Sequence, residues 1–498
     1  MLTPPRELKK AISGGAYDAA LTALYPGSDL PGRRERCLRV IDGFAETFGE
    51  RPLALISAPG RTEVGGNHTD HQRGMVLAAA VNLDILCAAA PSEGGGLRAR
   101  VLSEGYPMDD VDLGDMAPRE SERETSAAMI RGVAAWLGER GKAFGGFDAY
   151  TASDVLGGSG LSSSAAFEVA MGCIFRALYA NGATPVEIAI AGQSAETRYF
   201  GKPSGLMDQT ASSVGGFTWI DFADPSAPKI EKIDADLASR GLRLCIVDTK
   251  GSHANLTAEY AAIPREMGMV ARALGKEHLR EVPEAEFYAS VAELREKAGD
   301  RAVLRAAHFF FDNALAREEA LALRENRVQD FLGMVVSSGQ SSFAYLQNVF
   351  SPASPQSQSV SVALALSDAI LRGRGGAWRV HGGGFAGTVQ AFVPDGLLDE
   401  YRSRMEAVFG QGACHVLTIR PFGGVELTPG LRLPGGGEDG GESEKSGCGE
   451  GKSGGGCGES EDIGGSGRER ESGCGEDGGD AGRSGGSGGK DCGEGARG

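Results

Sequence analysis

A sharp change in composition near Pro434 limits the part of this chain that can fold. Glycine supplies 27 of the 64 residues from 435 to 498, and Ile463 is the only large aliphatic residue there. Such a segment buries too little apolar surface to offset the entropy lost on ordering. We therefore predict that residues 435–498 form a disordered tail rich in Gly, Ser, Glu and Cys, and that the fold lies before it.

The nine cysteines fall into two groups. Five are scattered through the body in apolar surroundings, as expected for buried thiols in a reducing compartment. The tail cysteines each begin a Cys-Gly-Glu triplet, at Cys448, Cys457, Cys474 and Cys492. Metal binding is one interpretation, but the spacings are irregular and the tail has no histidine, so a solvated extension is favoured.

The formal charge of −17 disfavours a nucleic-acid partner or an anionic membrane surface. No apolar run reaches the ~20 residues of a membrane helix. The first 15 residues lack the apolar core of a secretory signal. We expect a cytoplasmic protein without membrane or nucleic-acid partners, and the sequence indicates no partner for the tail.

Helical and strand patterns alternate along the body, which predicts a mixed α and β protein. Residues 5–50 look helical, and the segment 284–327 is predicted as one helical region. Strands are predicted at 53–57, 75–90, 147–155, 216–222, 242–248, 378–381 and 388–393. The boundary between two domains is expected between residues 225 and 245, where Pro225 and Pro228 interrupt the pattern.

A glycine- and serine-rich segment follows one predicted strand and begins a helix: Leu156-Gly-Gly-Ser-Gly-Leu-Ser-Ser-Ser-Ala-Ala166. Glycines let a ligand approach the backbone, and a helix start offers unpaired N–H groups to an anion. The Gly-Lys-Ser/Thr ending of a Walker A loop is missing. Taken alone, the segment fits a phosphate-binding loop or a simple turn with a serine cap equally well.

Two further segments combine glycines with polar groups. Residues 58–71 place Arg, Asn, two His and Asp after a predicted strand, where loop side chains can converge on a small polar ligand. A solvated loop with turn-forming Asn and Asp is the alternative. The run from His381 to Thr388, between two short strands, is weak evidence alone because it also fits a flexible turn.

Together the three segments resemble the GHMP small-molecule kinase superfamily. The segment at residues 58–71 looks most like the galactokinase family. The family signature Gly-Arg-Val-Asn-Leu-Ile-Gly-Glu-His-Thr-Asp-Tyr is matched by Gly60-Arg-Thr-Glu-Val-Gly-Gly-Asn-His-Thr-Asp-His71. The phosphate loop begins with Leu156 in place of Pro. The third motif, Gly-x-Gly-Phe-Gly-Gly, corresponds to Gly382-Gly-Gly-Phe-Ala-Gly387. The resemblance spans about residues 50–425.

The resemblance implies an α+β, two-domain GHMP kinase fold with a disordered tail. Residues 1–50 would be an N-terminal helical segment. Residues 51–235 would form an N-terminal domain like domain 2 of ribosomal protein S5, carrying the sugar signature and phosphate loop. Residues 236–434 would form a ferredoxin-like C-terminal domain, before the tail at 435–498.

The resemblance also implies site residues. Asp208, in Gly205-Leu-Met-Asp-Gln209, matches the catalytic aspartate, and Arg61 would act beside it. Ser164 and Glu196 would hold Mg²⁺. ATP would be bound by Gly158, Ser159, Gly160, Leu161, Ser162, Ser163 and Ser164. Without the family match, Asp208 would read as a helix cap and Glu196 as part of a solvated helix face.

The implied reaction is ATP-dependent phosphorylation of the anomeric hydroxyl of galactose to galactose 1-phosphate. The implied sugar-binding residues are Asn67, His68, Thr69, Asp70, Gly205 and Tyr260. Tyr260 fits a helical core aromatic equally well. ATP and the sugar are then the small-molecule partners, with Mg²⁺ as cofactor.

One departure leaves the sugar open. Asn67 stands where the family has Glu, next to C6 of the sugar, and an amide carries no charge. Galacturonate, or another C6-modified sugar, is therefore an alternative acceptor. Further alternatives are a non-catalytic sugar sensor on this fold and a kinase for mevalonate or homoserine. The departures Thr62, Glu63 and His71 have no explanation at this level.

Overall fold

The computed structural model describes residues 2–155, 160–202, 204–251 and 256–432. The predicted tail lies outside these residues. Two β-sheets organise the described chain, one of eight strands and one of four. Among the described residues, no helix is long and apolar enough to cross a bilayer.

The α-helices follow the mixed pattern expected from the sequence. They are α1 (Pro5–Ser13), α2 (Asp18–Leu24), α3 (Leu30–Phe48), α4 (Ser126–Glu139), α5 (Ser163–Tyr179), α6 (Pro185–Ala195), α7 (Met207–Val214), α8 (Thr257–Ala273), α9 (Glu284–Ala289), α10 (Val291–Ala298), α11 (Asp300–Arg324), α12 (Val328–Ser341), α13 (Ser359–Leu371) and α14 (Leu398–Phe409). The five residues after α6 and after α12, Glu196–Phe200 and Ser342–Leu346, are π-helical.

The strands divide between the two sheets. They are β1 (Ala54–Gly65), β2 (Met75–Pro91), β3 (Arg98–Ser103), β4 (Met108–Asp112), β5 (Phe147–Ser153), β6 (Phe217–Asp221), β7 (Lys229–Ile233), β8 (Leu242–Asp248), β9 (Ala377–Val380), β10 (Thr388–Pro394), β11 (Cys414–Leu417) and β12 (Val425–Glu426). The larger sheet runs β12-β1-β2-β5-β3-β4, with β6 on β2 and β7 on β6. The smaller runs β11-β8-β10-β9, and only β3 and β5 pair in parallel among the described strands.

The first five residues of β1 and most of β2 are largely apolar, as expected where both faces of a sheet are covered. Leu55 and Leu86 pack in one core with residues of α1, α2 and α3. Ile56 and Cys87 belong to the opposite core, which includes α4 and α5. The sequence alternates faces residue by residue, as a strand requires.

β1 is longer than predicted, and the difference matters for the site. The expected strand ended at residue 57, whereas β1 continues to Gly65 and pairs with β2, with Thr62 opposite Ala79. Arg61, Thr62 and Glu63 stay buried there although they are polar. Their hydrogen bonds to residues far along the chain satisfy them, and the local sequence does not reveal those partners.

The region predicted as helical, 284–327, is helical and divides into three helices. Ser290 separates α9 from α10, and Gly299, with φ of 86°, separates α10 from α11. The left-handed conformation at Gly299 suits glycine and ends the helix before it.

The domain division at about residue 235 stays a prediction. β7 belongs to the larger sheet and β8 to the smaller, while β12 returns to β1.

Candidate active site

Arg61, Asp208 and Ser162 meet at one point. Arg61 Nε and Nη2 lie 2.7 and 2.5 Å from the two carboxylate oxygens of Asp208, and Ser162 Oγ donates to Oδ2. Ser162 has a positive φ of 55°, an uncommon conformation for a residue with a side chain. Asp208 lies in the first turn of α7, where the helix dipole favours a negative charge.

The electrostatics keep Asp208 ionised. Burial acts to raise the pKa of its carboxyl, but the adjacent Arg61 outweighs burial and lowers the pKa below its usual value. Arg61 also donates to the carbonyl of Gly160, and its own N–H donates to the Leu161 carbonyl at 3.0 Å. Arg61 therefore joins the serine-rich segment to Asp208.

A second cluster surrounds Glu196, which is buried. Its Oε1 accepts hydrogen bonds from Ser164 Oγ at 3.3 Å and Lys202 Nζ at 2.7 Å. Its Oε2 accepts from Gln209 Nε2 at 2.9 Å, and the same nitrogen lies 2.9 Å from Glu168 Oε2. Burial raises the pKa of Glu168 well above its usual range.

This cluster supplies oxygen donors of the kind that Mg²⁺ prefers. The hydroxyl of Ser164 and the carboxylate of Glu196 face each other, as the resemblance implies. Glu168 Oε1 is buried and has no hydrogen-bond partner among the described residues. The residues present therefore fit a hard divalent cation.

The third glycine-rich segment adjoins the same place. His381 Nε2 lies 3.0 Å from Thr62 Oγ1, next to Arg61. A Cβ added at Gly160 would lie 3.1 Å from His381 Nδ1, so the serine-rich loop passes directly over this histidine. Burial and the charge of Arg61 lower the pKa of His381 to about 3, so the ring is neutral.

Asn67 is fully buried, and its side chain is committed to the protein. Its Nδ2 donates to Glu63 Oε1 at 2.6 Å and to the Gly382 carbonyl at 2.8 Å. Its Oδ1 accepts from Asn348 Nδ2 at 2.8 Å. Glu63 is paired in addition with Arg379 at 3.1 Å. Position 67 carries no charge, but a carboxyl group adjoins it.

The other predicted sugar-binding residues differ in accessibility. Thr69 is buried and donates to the carbonyls of Gly66 and Met75. Asp70 is half-buried, and a Cβ at Gly205 would lie 2.4 Å from its Oδ2, so the two positions touch. His68 Nε2 lies 3.1 Å from the Gly383 carbonyl, and Tyr260 donates to the Gly384 carbonyl at 3.0 Å.

The predicted ATP-binding residues are described in part. Gly158 and Ser159 lie outside the described residues. Gly160 and the buried Leu161 contact Arg61, and Ser163 is the first residue of α5. The serine-rich segment therefore does begin a helix.

Sequence reasoning missed Glu63, Glu168 and Lys202. Glu168 follows Ser164 by four residues on α5, so helical spacing places both on one face and could have found it. Lys202 returns to Glu196 through a π-helical turn, which has no readable sequence signal.

Comparisons with known proteins identify the family. Residues 42–91 match the family model described as the galactokinase galactose-binding signature. Residues 128–216 match the GHMP kinases N terminal domain. A galactokinase of Streptomyces coelicolor is 33% identical over 371 residues, which are 74% of this chain and 91% of that relative. The chain belongs to the galactokinase family. It is thus a sugar kinase, and the predicted family and enzyme class are confirmed.

Solved structures in the superfamily share the fold. A crystal structure of Lactococcus lactis galactokinase complexed with galactose matches with a TM-score of 0.66 at 22% identity, covering 77% of this chain and 98% of that one. The Methanococcus jannaschii mevalonate kinase matches with a TM-score of 0.53 at 14% identity, covering 74% and 98%. The α+β fold class expected for this galactokinase-family chain is confirmed.

Proposed function

We propose that this chain transfers the γ-phosphoryl group of ATP to the anomeric hydroxyl of galactose, forming galactose 1-phosphate. One observation carries the proposal: Arg61 and Ser162 hold Asp208 at the start of α7, and Ser164, two residues after Ser162, pairs with Glu196. Phosphoryl transfer asks a protein mainly for positioning and charge stabilisation. This arrangement supplies both.

Asp208 would orient the sugar hydroxyl. Its low pKa makes it a weak base, so it would accept the proton late, as the new O–P bond forms. Arg61 would keep Asp208 ionised and counter the negative charge that develops on the transferring phosphoryl group. The described part of the loop, from Gly160 to Ser164, would contact the ATP phosphates.

Ser164 and Glu196 would hold Mg²⁺. An ion held there would supply positive charge to neutralise the nucleotide phosphates. Gln209 would keep Glu196 aimed at the ion through its 2.9 Å hydrogen bond.

We assign direct sugar contacts to Asp70, His68 and Gly205, whose positions adjoin the Asp208 segment or the 382–384 turn. Tyr260 would support that turn or reach the sugar. Asn67 and Thr69 would act as positioning residues, because their side chains are satisfied by the protein.

The same contacts weaken the case for galacturonate. That alternative assumed that Asn67 removes a negative charge from the C6 side of the sugar, whereas Glu63 restores a carboxyl group 2.6 Å from Asn67. A sugar carboxylate would lie beside this group, and like charge would disfavour it wherever Glu63 is ionised, above its pKa of about 7. Galactose is therefore the favoured acceptor.

A coupled ADP-release assay with Mg–ATP tests the function over galactose, galacturonate, glucose and mevalonate. We expect rapid ADP release with galactose and little with the other three. Galactose binding without galactose-dependent ADP release would instead support the sensor. ADP release with mevalonate alone would show that the acceptor is mevalonate and not galactose.

A cytoplasmic location is also proposed. The five cysteines in the described part of the chain are free and buried, as suits a reducing compartment.

A further inference from the structure

We propose that Lys202 is an additional phosphate-binding residue, whose ammonium group binds the terminal phosphate of the nucleotide. This inference rests on the proposed function, because it assumes that a nucleotide triphosphate enters this site. Nothing in the signature motifs assigns a role to Lys202.

The backbone delivers Lys202 to the site by a π-helical turn. Residues Glu196–Phe200 form this turn, and Gly201 follows it with φ of 93°. The N–H groups of Gly201 and Lys202 both donate to the carbonyl of Glu196 at 3.0 Å. The chain thus doubles back, so Lys202 reaches the carboxylate of the residue where the turn begins.

The ammonium group pairs with the carboxylate of Glu196. Its Nζ is 2.7 Å from Glu196 Oε1, the oxygen that also accepts from Ser164. The ammonium group is therefore held beside the Ser164–Glu196 pair.

The proposed reaction would bring the transferred group near this position. Asp208 would orient the attacking hydroxyl, and it accepts a hydrogen bond from Ser162, two residues before the Ser164 that pairs with Glu196. A cation held on Glu196 would therefore be within reach of the phosphate that is transferred.

The two partners of the ion pair differ in solvent exposure. The side chain of Glu196 is 3% exposed, whereas that of Lys202 is 54% exposed. The ammonium group therefore lies on the solvent side of Glu196, where a nucleotide would arrive. Its four-carbon stem lets it leave Glu196 and follow a phosphate oxygen.

The competing explanation is a purely structural ion pair. In that case Lys202 would only neutralise Glu196, and its loss would affect all nucleotides alike. A contact with the terminal phosphate instead predicts a selective effect on the triphosphate.

Calorimetric binding of Mg–AMP-PNP and Mg–ADP to the full chain separates these explanations without requiring turnover. Lys202→Met removes the charge and keeps the length, and we expect it to weaken AMP-PNP binding about 10- to 100-fold and ADP binding much less. Lys202→Arg should stay close to wild type. Lys9→Met is the control, because Lys9 forms a similar 2.6 Å pair with Asp42 far from the site.

Unchanged AMP-PNP binding in Lys202→Met, or equal weakening for AMP-PNP and ADP, overturns the proposal. If that variant fails to fold, Lys202→Gln provides the same comparison. The proposed function fails separately if wild type binds AMP-PNP but phosphorylates no sugar. A wild type that binds no nucleotide overturns both.

Discussion

The side-chain amide of Asn67 donates a 2.6 Å hydrogen bond to the carboxyl group of Glu63, four residues earlier on the chain. The galactokinase signature that this segment resembles has Asn and Glu at these two positions in the opposite order. Relative to that signature, the chain carries the two groups in exchanged positions, and here they contact each other. This exchange accounts for the Glu63 departure and retains one carboxyl group next to position 67.

The buried Glu63 should make stability depend on pH. Burial raises the pKa of its carboxyl from 4.5 to about 7 against the opposing charges of Arg379 and Arg61. The folded state then keeps a proton that the unfolded state releases. The contribution of the Glu63 carboxyl to the free energy of unfolding is present below pH 4.5. It is lost as pH rises towards 7, by up to about 3 kcal/mol.

Glu63→Gln removes this titration. Urea unfolding at several pH values should show a smaller loss of stability between pH 4.5 and 7 in the variant than in wild type. Glu277→Gln, at a side chain that is 77% exposed, is the control and should follow wild type. Parallel pH curves for Glu63→Gln and wild type would contradict the assignment.

Asp208→Asn should separate binding from catalysis. We expect turnover with galactose to fall about 10²-fold or more, as for a lost acid–base group. Calorimetric affinity for Mg–AMP-PNP should stay nearly unchanged. Asp221→Asn is a matched control, because Asp221 also pairs with an arginine, Arg280 at 2.9 Å, outside this cluster. Near-normal turnover in Asp208→Asn would remove this residue from the mechanism.

Gly65 and Glu319 should be energetically coupled. A Cβ at position 65 would lie 1.7 Å from Glu319 Oε2, and Glu319 is fully buried. Gly65→Ala should therefore lower the free energy of unfolding by about 1–3 kcal/mol, the usual cost of overpacking. Glu319→Ala opens the space, so Gly65→Ala should cost much less in that background. Thermal or urea unfolding of wild type, the two single variants and the double variant measures the coupling. Additive losses in the free energy of unfolding would rule it out.

Two truncations should behave differently. Ending the chain after Pro434 removes only the predicted tail, and activity and melting temperature should both be retained. Ending it after residue 424 also removes β12 and the buried Leu427, whose N–H donates to the Leu55 carbonyl at 2.8 Å. That variant should melt several degrees lower in calorimetry. A large loss from the first truncation would show that the tail contributes to the fold.

Sequence patterns predicted the elements whose structure depends on residues close together in the chain. β8 has the predicted bounds, 242–248, because its apolar run is buried on both sides. The family resemblance, and not a local pattern, pointed to Asp208 and to Arg61 beside it, and the structure adds the contact with Ser162. The strands β3 and β4 were missed because both are short, and β4 is mostly aspartate, which is depleted in strands.

Long-range partners could not be predicted. Glu63 depends on Arg379, and Asn67 on Asn348 and Gly382, which lie about 300 residues away in the chain. The burial of Asn67 follows from these partners. A pattern that reads position 67 alone indicates a loop residue open to ligand, whereas the folded chain uses it to join two distant segments.

The late return of β12 to β1 has a consequence for biosynthesis. Ile56 and Ser57 pair with Glu426 and Val425, so one edge of the first strand made stays uncovered until nearly all of the described chain has left the ribosome. An open strand edge can recruit another polypeptide. A nascent chain of this protein is thus most vulnerable to wrong pairing during synthesis itself, and the last described strand ends that exposure.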